Sequence, residues 1–74
     1  MKTFNSIAAS IFNIKEKDIR DNMSSKDITD WDSMNYLLFI AALEKNFDVS
    51  FTMDEVMNAS SIGDLRVIVE ARKK

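Results

Sequence analysis

The sequence predicts an all-α fold, a four-helix bundle with three longer helices, a short third helix and a long loop between helices 1 and 2. Three observations predict it. The 74 residues hold one glycine, Gly63, and no proline, which is little turn chemistry for a strand-rich chain. Apolar residues recur at helical spacing in three separate stretches. Hydroxyl side chains stand where they can cap the starts of helices, at Thr3, Thr52 and Ser60 or Ser61. The length fits one domain spanning residues 1–74, near the size at which a single core is marginally stable.

Phe4, Ile7, Ala8 and Ile11 fall at i, i+3, i+4 and i+7 and line one face of a first helix capped by Thr3. That pattern breaks near Asn13. Residues 14–32 are polar with isolated apolar positions, Ile14, Ile19, Met23, Ile28 and Trp31. They read as a long loop pinned to the core at those points, with one helical turn around residues 16–20. A loop of that length inside a small domain has a job or conceals a helix.

The second helix covers residues 33–46. Tyr36, Phe39, Ile40, Leu43 and Phe47 share one arc and form its core face. Met34, Leu37, Leu38 and Ala41 point away from that arc. Such a helix is either covered on both sides, here by the long loop, or leaves an apolar patch exposed, and the residues alone favour neither. Phe47, Val49 and Phe51 alternate with polar residues, but no partner strand exists, so an extended connector follows. Thr52-Met53-Asp54-Glu55 has the capping-box pattern and predicts a short third helix over residues 53–58. In the last helix Ile62, Leu65, Ile68 and Val69 form the buried stripe.

Composition excludes several functions. Without cysteine there is no disulfide framework and no thiolate metal site; without histidine there is no Ser-His or Cys-His nucleophile pair. No catalytic residue and no metal ligand set is expected. The longest uninterrupted apolar run, residues 36–43, is far too short for a membrane span. Asn5, Ser6 and Ser10 interrupt any signal-like start, so a cytoplasmic protein without membrane insertion is expected. Residues 21–55 carry eight acids against two bases, and the flanks four acids against eight bases. Helix-dipole matching, with Arg72-Lys73-Lys74 at the last C-terminus, accounts for part of this. The remainder reads as an acidic surface around Ser33 that meets a basic partner and disfavours nucleic acid.

Ser33 sits where an acidic loop becomes an apolar helix. On its own it reads as an ordinary helix-start serine. Three neighbouring features point further: a helix N-terminus that attracts anions such as phosphate, the acids beside it, and the apolar positions that follow it directly. Asp32-Ser33-Met34 resembles the Asp-Ser-Leu signature of acyl carrier proteins, and Ala42-Leu43-Glu44-Lys45-Asn46-Phe47 resembles the Ala-Leu-Glu-x-x-Phe that follows it. A short acidic helix at Asp54-Glu55 and a capped final helix at Ser61-Ile62 come in the same order, so the resemblance spans the chain.

That resemblance implies a carrier rather than an enzyme. A phosphopantetheinyl transferase would move 4′-phosphopantetheine from coenzyme A to the Ser33 hydroxyl, and the arm's thiol would hold an acyl group as a thioester. It also implies Asp32 as a neighbouring electrostatic determinant. Met34, Leu37 and Leu38 would form an apolar docking surface, with acidic contacts from Asp54 and Glu55, for acyl-loading and acyl-processing enzymes. The carrier is expected as a monomer. Trp31 is expected as a structural anchor of the loop. Trp-Asp-Ser, with Asn35 and Leu38 where fatty-acid carriers typically have acids, looks more like stand-alone carriers of specialised pathways. The cargo stays open among fatty-acid-like, polyketide, peptide-like and polysaccharide chemistry. The alternative is an unmodified helical interaction module that recruits a partner through the apolar face of helix 2.

Overall fold

Among the described residues four α-helices form where the caps and periodicities place them: α1 Phe4–Phe12, α2 Ser33–Phe47, α3 Met53–Asn58 and α4 Ile62–Arg72. The computed structural model describes residues 3–72; Lys73 and Lys74, expected at the last helix end, lie outside the described residues. Among the described residues there is no strand, and residues 49–52 connect α2 to α3. No described helix is long and apolar enough to cross a membrane.

α1 starts in a reciprocal cap. The Thr3 hydroxyl accepts the Ser6 N–H at 3.1 Å, and the Ser6 hydroxyl accepts the Thr3 N–H at 2.9 Å. The helix ends at Asn13, which takes the left-handed conformation (φ 56°) and donates its N–H to the Ala9 carbonyl. Asp48 ends α2 the same way, at φ 56°. Asparagine and aspartate tolerate this geometry better than other non-glycine residues, so the chain closes two helices without glycine.

The buried face of α1 is Phe4, Ile7, Ala8 and Phe12, while Ile11 is only half-buried. The stripe is rotated from the expected one because Phe12 has a partner that Ile11 lacks. Its ring stacks on Trp31 at 5.1 Å and meets Phe39 edge-on at 5.1 Å.

The long loop holds one 3₁₀ turn, Glu16–Asp18, shorter than the turn expected over residues 16–20. Ile19 and Ile28 are buried, and Ile14, Met23 and Trp31 pack partly buried against the core. α4 also holds the loop. Its first N–H groups, which have no partner inside the helix, donate to loop carbonyls: Ile62 to Met23 at 2.9 Å and Gly63 to Asp21 at 2.8 Å.

α2 buries Phe39, Ile40 and Leu43, with Tyr36 and Phe47 half-buried at the ends of that face. α4 buries Ile62, Leu65 and Val69, and Ile68 is half-buried. Of the two serines expected to cap it, Ser61 accepts the Asp64 N–H at 3.3 Å, while Ser60 donates its own N–H to the Asp64 carboxylate at 2.9 Å. α3 has no fully buried residue.

Candidate functional site

The start of α2 is built from the hydrogen bonds of Asp32 and Asn35. The Asp32 carboxylate accepts the Asn35 N–H at 2.8 Å and is the N-cap of α2. Ser33 is therefore the first residue inside the helix. Its side chain is exposed, and its hydroxyl bonds to no other described residue. Asn35 turns its side-chain amide back to the Asp30 carbonyl at 2.8 Å, which fixes the approach of the loop.

Trp31 is held between two rings, stacked on Phe12 at 5.1 Å and on Tyr36 at 5.7 Å. With both faces covered, the indole anchors the loop. Tyr36 lies one turn beyond Ser33, and its hydroxyl donates to the Val56 carbonyl at 2.6 Å, tying α2 to α3. Burial raises the pKa of this phenol, and the negative charge of Asp64 adds to the effect. Trp31, Asp32, Ser33 and Tyr36 line a shallow cleft of ≈350 Å³. A larger cleft, ≈430 Å³, lies between α3 and α4, and α2 contributes nothing to its lining.

The apolar positions that follow Ser33 face solvent. Met34 is 72%, Leu37 59% and Leu38 53% exposed, and Ala41 is exposed with them. The long loop does not fold over this face. α3 adds two exposed methionines, Met53 and Met57.

The two acids of α3 differ. Asp54 is exposed. Glu55 is engaged within the chain: both its oxygens meet the Arg72 guanidinium, and one accepts the Thr52 N–H at 2.9 Å. The hydrogen bonds from Arg72, and then the one from Thr52, hold its carboxyl down at about 2 from an ordinary 4.5. Arg72 also donates to the Ser50 carbonyl at 2.9 Å, fixing the connector that precedes α3.

The structure thus gathers Asp32, Ser33, Met34, Leu37 and Leu38 on the N-terminal part of α2, with Asp54 presented by the neighbouring short helix. The periodicity placed Tyr36 in the core and left its second role unseen. Lying three residues after Ser33 puts it one turn away on the same side of the helix, but its bond to Val56 depends on a residue twenty positions later. Among the described residues no group of His, Cys, Asp or Glu is arranged to hold a metal ion.

Comparisons with known proteins agree with this fold. A family model described as the phosphopantetheine attachment site matches residues 3–66. A search of curated protein sequences gave no match. Among solved structures, the chain is similar to one from Mycobacterium tuberculosis assigned as an acyl carrier protein. That pair is 24% identical, with a TM-score of 0.81, covering 92% of this chain and 90% of that one. It is also similar to the holo acyl carrier protein of Geobacter metallireducens, solved in solution, at 26% identity and a TM-score of 0.80, covering 96% of this chain and 85% of that one. The first likeness is one of fold alone. With the family model spanning most of the sequence and the fold shared with both solved relatives, the chain belongs to the acyl carrier protein family, whose cofactor is 4′-phosphopantetheine.

Proposed function

We propose that Ser33 bears the 4′-phosphopantetheine group and that the chain carries acyl or related thioesters for a specialised biosynthetic pathway. The observation that supports this is the state of the Ser33 hydroxyl. It is a primary alcohol, exposed at the first residue of a 15-residue helix, with the capping task already taken by Asp32. A serine that capped the helix itself would have its oxygen engaged with a backbone N–H.

The surroundings fit the group. The positive end of α2 favours the negative charge of a phosphodiester at Ser33. The Asp32 carboxylate is held by the Asn35 N–H, so it stays beside the serine in a defined place. The Trp31–Tyr36 stack makes one wall of the cleft that Ser33 also lines. When attached, the group supplies the thiol on which cargo is held. The chain's part is to present it at high effective concentration to enzymes docked on the adjoining face. That face is made by Met34, Leu37 and Leu38, with Asp54 beside it; Glu55 shapes it through Arg72. The partners are a phosphopantetheinyl transferase, which moves the group from coenzyme A, and acyl-loading and acyl-processing enzymes. The exposed face equally suits the second reading, an unmodified interaction module, which the same experiment separates.

Incubation with coenzyme A and a broad-specificity phosphopantetheinyl transferase is expected to add one phosphopantetheine, read as a shift in intact mass. Ser33→Ala is expected to abolish the shift with an unchanged helical circular dichroism spectrum. An unshifted wild-type protein, under conditions that modify a control carrier, would overturn the assignment and favour the unmodified module.

A further inference from the structure

We infer that the first segment of the arm on Ser33 lies in the cleft lined by Trp31, Asp32, Ser33 and Tyr36, with the Trp31 indole N–H donating to one of its oxygens. The inference rests on the carrier reading above and adds a binding site for the arm on this chain's own surface. An indole has one polar atom, an N–H that donates and cannot accept. In a tryptophan that is packed away, that N–H as a rule finds a partner. Trp31 is half-buried, yet its N–H donates to no other described residue. Among the described residues no buried side-chain nitrogen or oxygen lacks a partner, so this N–H is open to solvent. Phe12 and Tyr36 stack on the two faces of the ring, at 5.1 Å and 5.7 Å. What the indole offers the cleft is therefore its edge.

The other lining residues leave that N–H as the one uncommitted side-chain donor of the cleft. The Tyr36 hydroxyl gives its proton to the Val56 carbonyl at 2.6 Å. The Asp32 carboxylate is an acceptor, held by the Asn35 N–H at 2.8 Å. Ser33 has no hydroxyl proton to give once it is esterified. The rest of the wall is ring carbon from Trp31 and Tyr36. The arm begins with a matching sequence of groups: a phosphate, a carbon bearing two methyl groups, then hydroxyl and carbonyl oxygens. The ring carbon suits the methyl groups, and the N–H suits an oxygen on either side of them. A donor bonded to an ionised acceptor makes a stronger hydrogen bond than a neutral pair does. The stack fixes the indole before any arm is attached, so little ordering is needed to make the contact. Trp31 thus anchors the loop through its faces and positions the arm through its edge.

Trp31 is the only tryptophan in the chain, so a sample labelled for heteronuclear NMR gives a single indole N–H resonance. The apo and holo forms are compared, with intact mass confirming that one group has been added. The resonance is expected to move on conversion and to show nuclear Overhauser contacts to protons of the arm. Trp31→Phe keeps a ring in the stack and lacks the N–H. In its holo form the two arm methyl groups are expected to give narrower resonances than in the wild-type holo protein, as groups less tied to the domain do. An indole resonance that stays in place, or that moves without any contact to arm protons, would overturn the inference and leave the carrier reading intact. Equal methyl line widths in the two holo proteins would do the same. If circular dichroism shows Trp31→Phe unfolded, the wild-type comparison alone decides. Failure of the wild-type protein to be modified would overturn the carrier reading, and this inference with it.

Discussion

Phe39 has no exposed surface and touches a ring on either side, Phe4 edge-on at 5.4 Å and Phe12 edge-on at 5.1 Å. Phe12 continues to Trp31, and Trp31 to Tyr36. One series of rings therefore runs from the core of α1 and α2 to the loop beside Ser33, and the site inherits its placement from the core. Removing the middle ring leaves a cavity that costs about 3–5 kcal/mol. A 74-residue domain has roughly 4–11 kcal/mol in total, at about 0.05–0.15 kcal/mol per residue. Phe39→Ala is expected to lose about 3–5 kcal/mol of the folding free energy in urea denaturation followed by circular dichroism. A loss below about 1 kcal/mol would mean that neighbouring rings close the gap. Phe39 was legible in the helical wheel. Phe12 was not, because choosing between it and Ile11 depended on Trp31, nineteen residues away.

At the scale of elements, the least legible residue was the single glycine. Gly63 sits in the first turn of α4 and gives its N–H to the Asp21 carbonyl at 2.8 Å. A Cβ there would lie 2.9 Å from the Asp21 Cβ and 3.0 Å from the Asp21 carbonyl oxygen, closer than such atoms approach without movement. Here glycine serves close backbone approach rather than an unusual dihedral: it lets the helix start dock on the loop. Gly63→Ala improves helix propensity by up to about 1 kcal/mol but forces the loop away from α4. A net destabilisation of about 1–3 kcal/mol is expected from overpacking, measured by thermal or urea unfolding. A stabilised variant would show that the loop yields freely. Nothing in the sequence near Gly63 names Asp21 as its neighbour. α3 is the opposite case. Its capping box was written in Thr52 and Glu55, and the six-residue helix forms where they put it.

Across the molecule, arginines on α4 join what the helices alone leave apart. Arg66 pairs with Asp21 of the loop, donates to Asn5 of α1 and lies 4.5 Å over the Phe4 ring. Arg72 pairs with Glu55 and so holds α3 against the end of α4. Glu55 titrates at about 2 in the folded chain, below its ordinary 4.5. A carboxyl with a lowered folded pKa stabilises fully above the unfolded value, and that contribution disappears as pH falls through the folded one. Asp64, lowered by the Ser60 N–H and hydroxyl, acts in the same direction. The melting temperature is therefore expected to hold steady above pH 4.5 and to fall between 4.5 and about 2. Arg72→Gln is expected to lower the melting temperature at neutral pH and to flatten that fall. Identical pH profiles for the two proteins would show that the pair contributes nothing to stability.

The sequence by itself determined the four helices, the Thr3 and Thr52 caps, the loop between the first two helices and the serine at its end. These depend on spacing and on hydrogen bonds between residues three or four apart, which a linear reading contains. It also carried the resemblance that names the family. Only the tertiary structure decided that Met34, Leu37, Leu38 and Ala41 face solvent, because exposure depends on where the long loop runs. It alone decided that Asp32 and not Ser33 caps α2, leaving the serine hydroxyl free. It also showed that Glu55 is spent on Arg72, seventeen residues away. The exposure of that face and the Glu55–Arg72 pair depend on contacts between segments distant in the chain, which local periodicity does not encode. The Asp32 cap is local, but residue types alone do not say which of two neighbouring side chains turns to the Asn35 N–H.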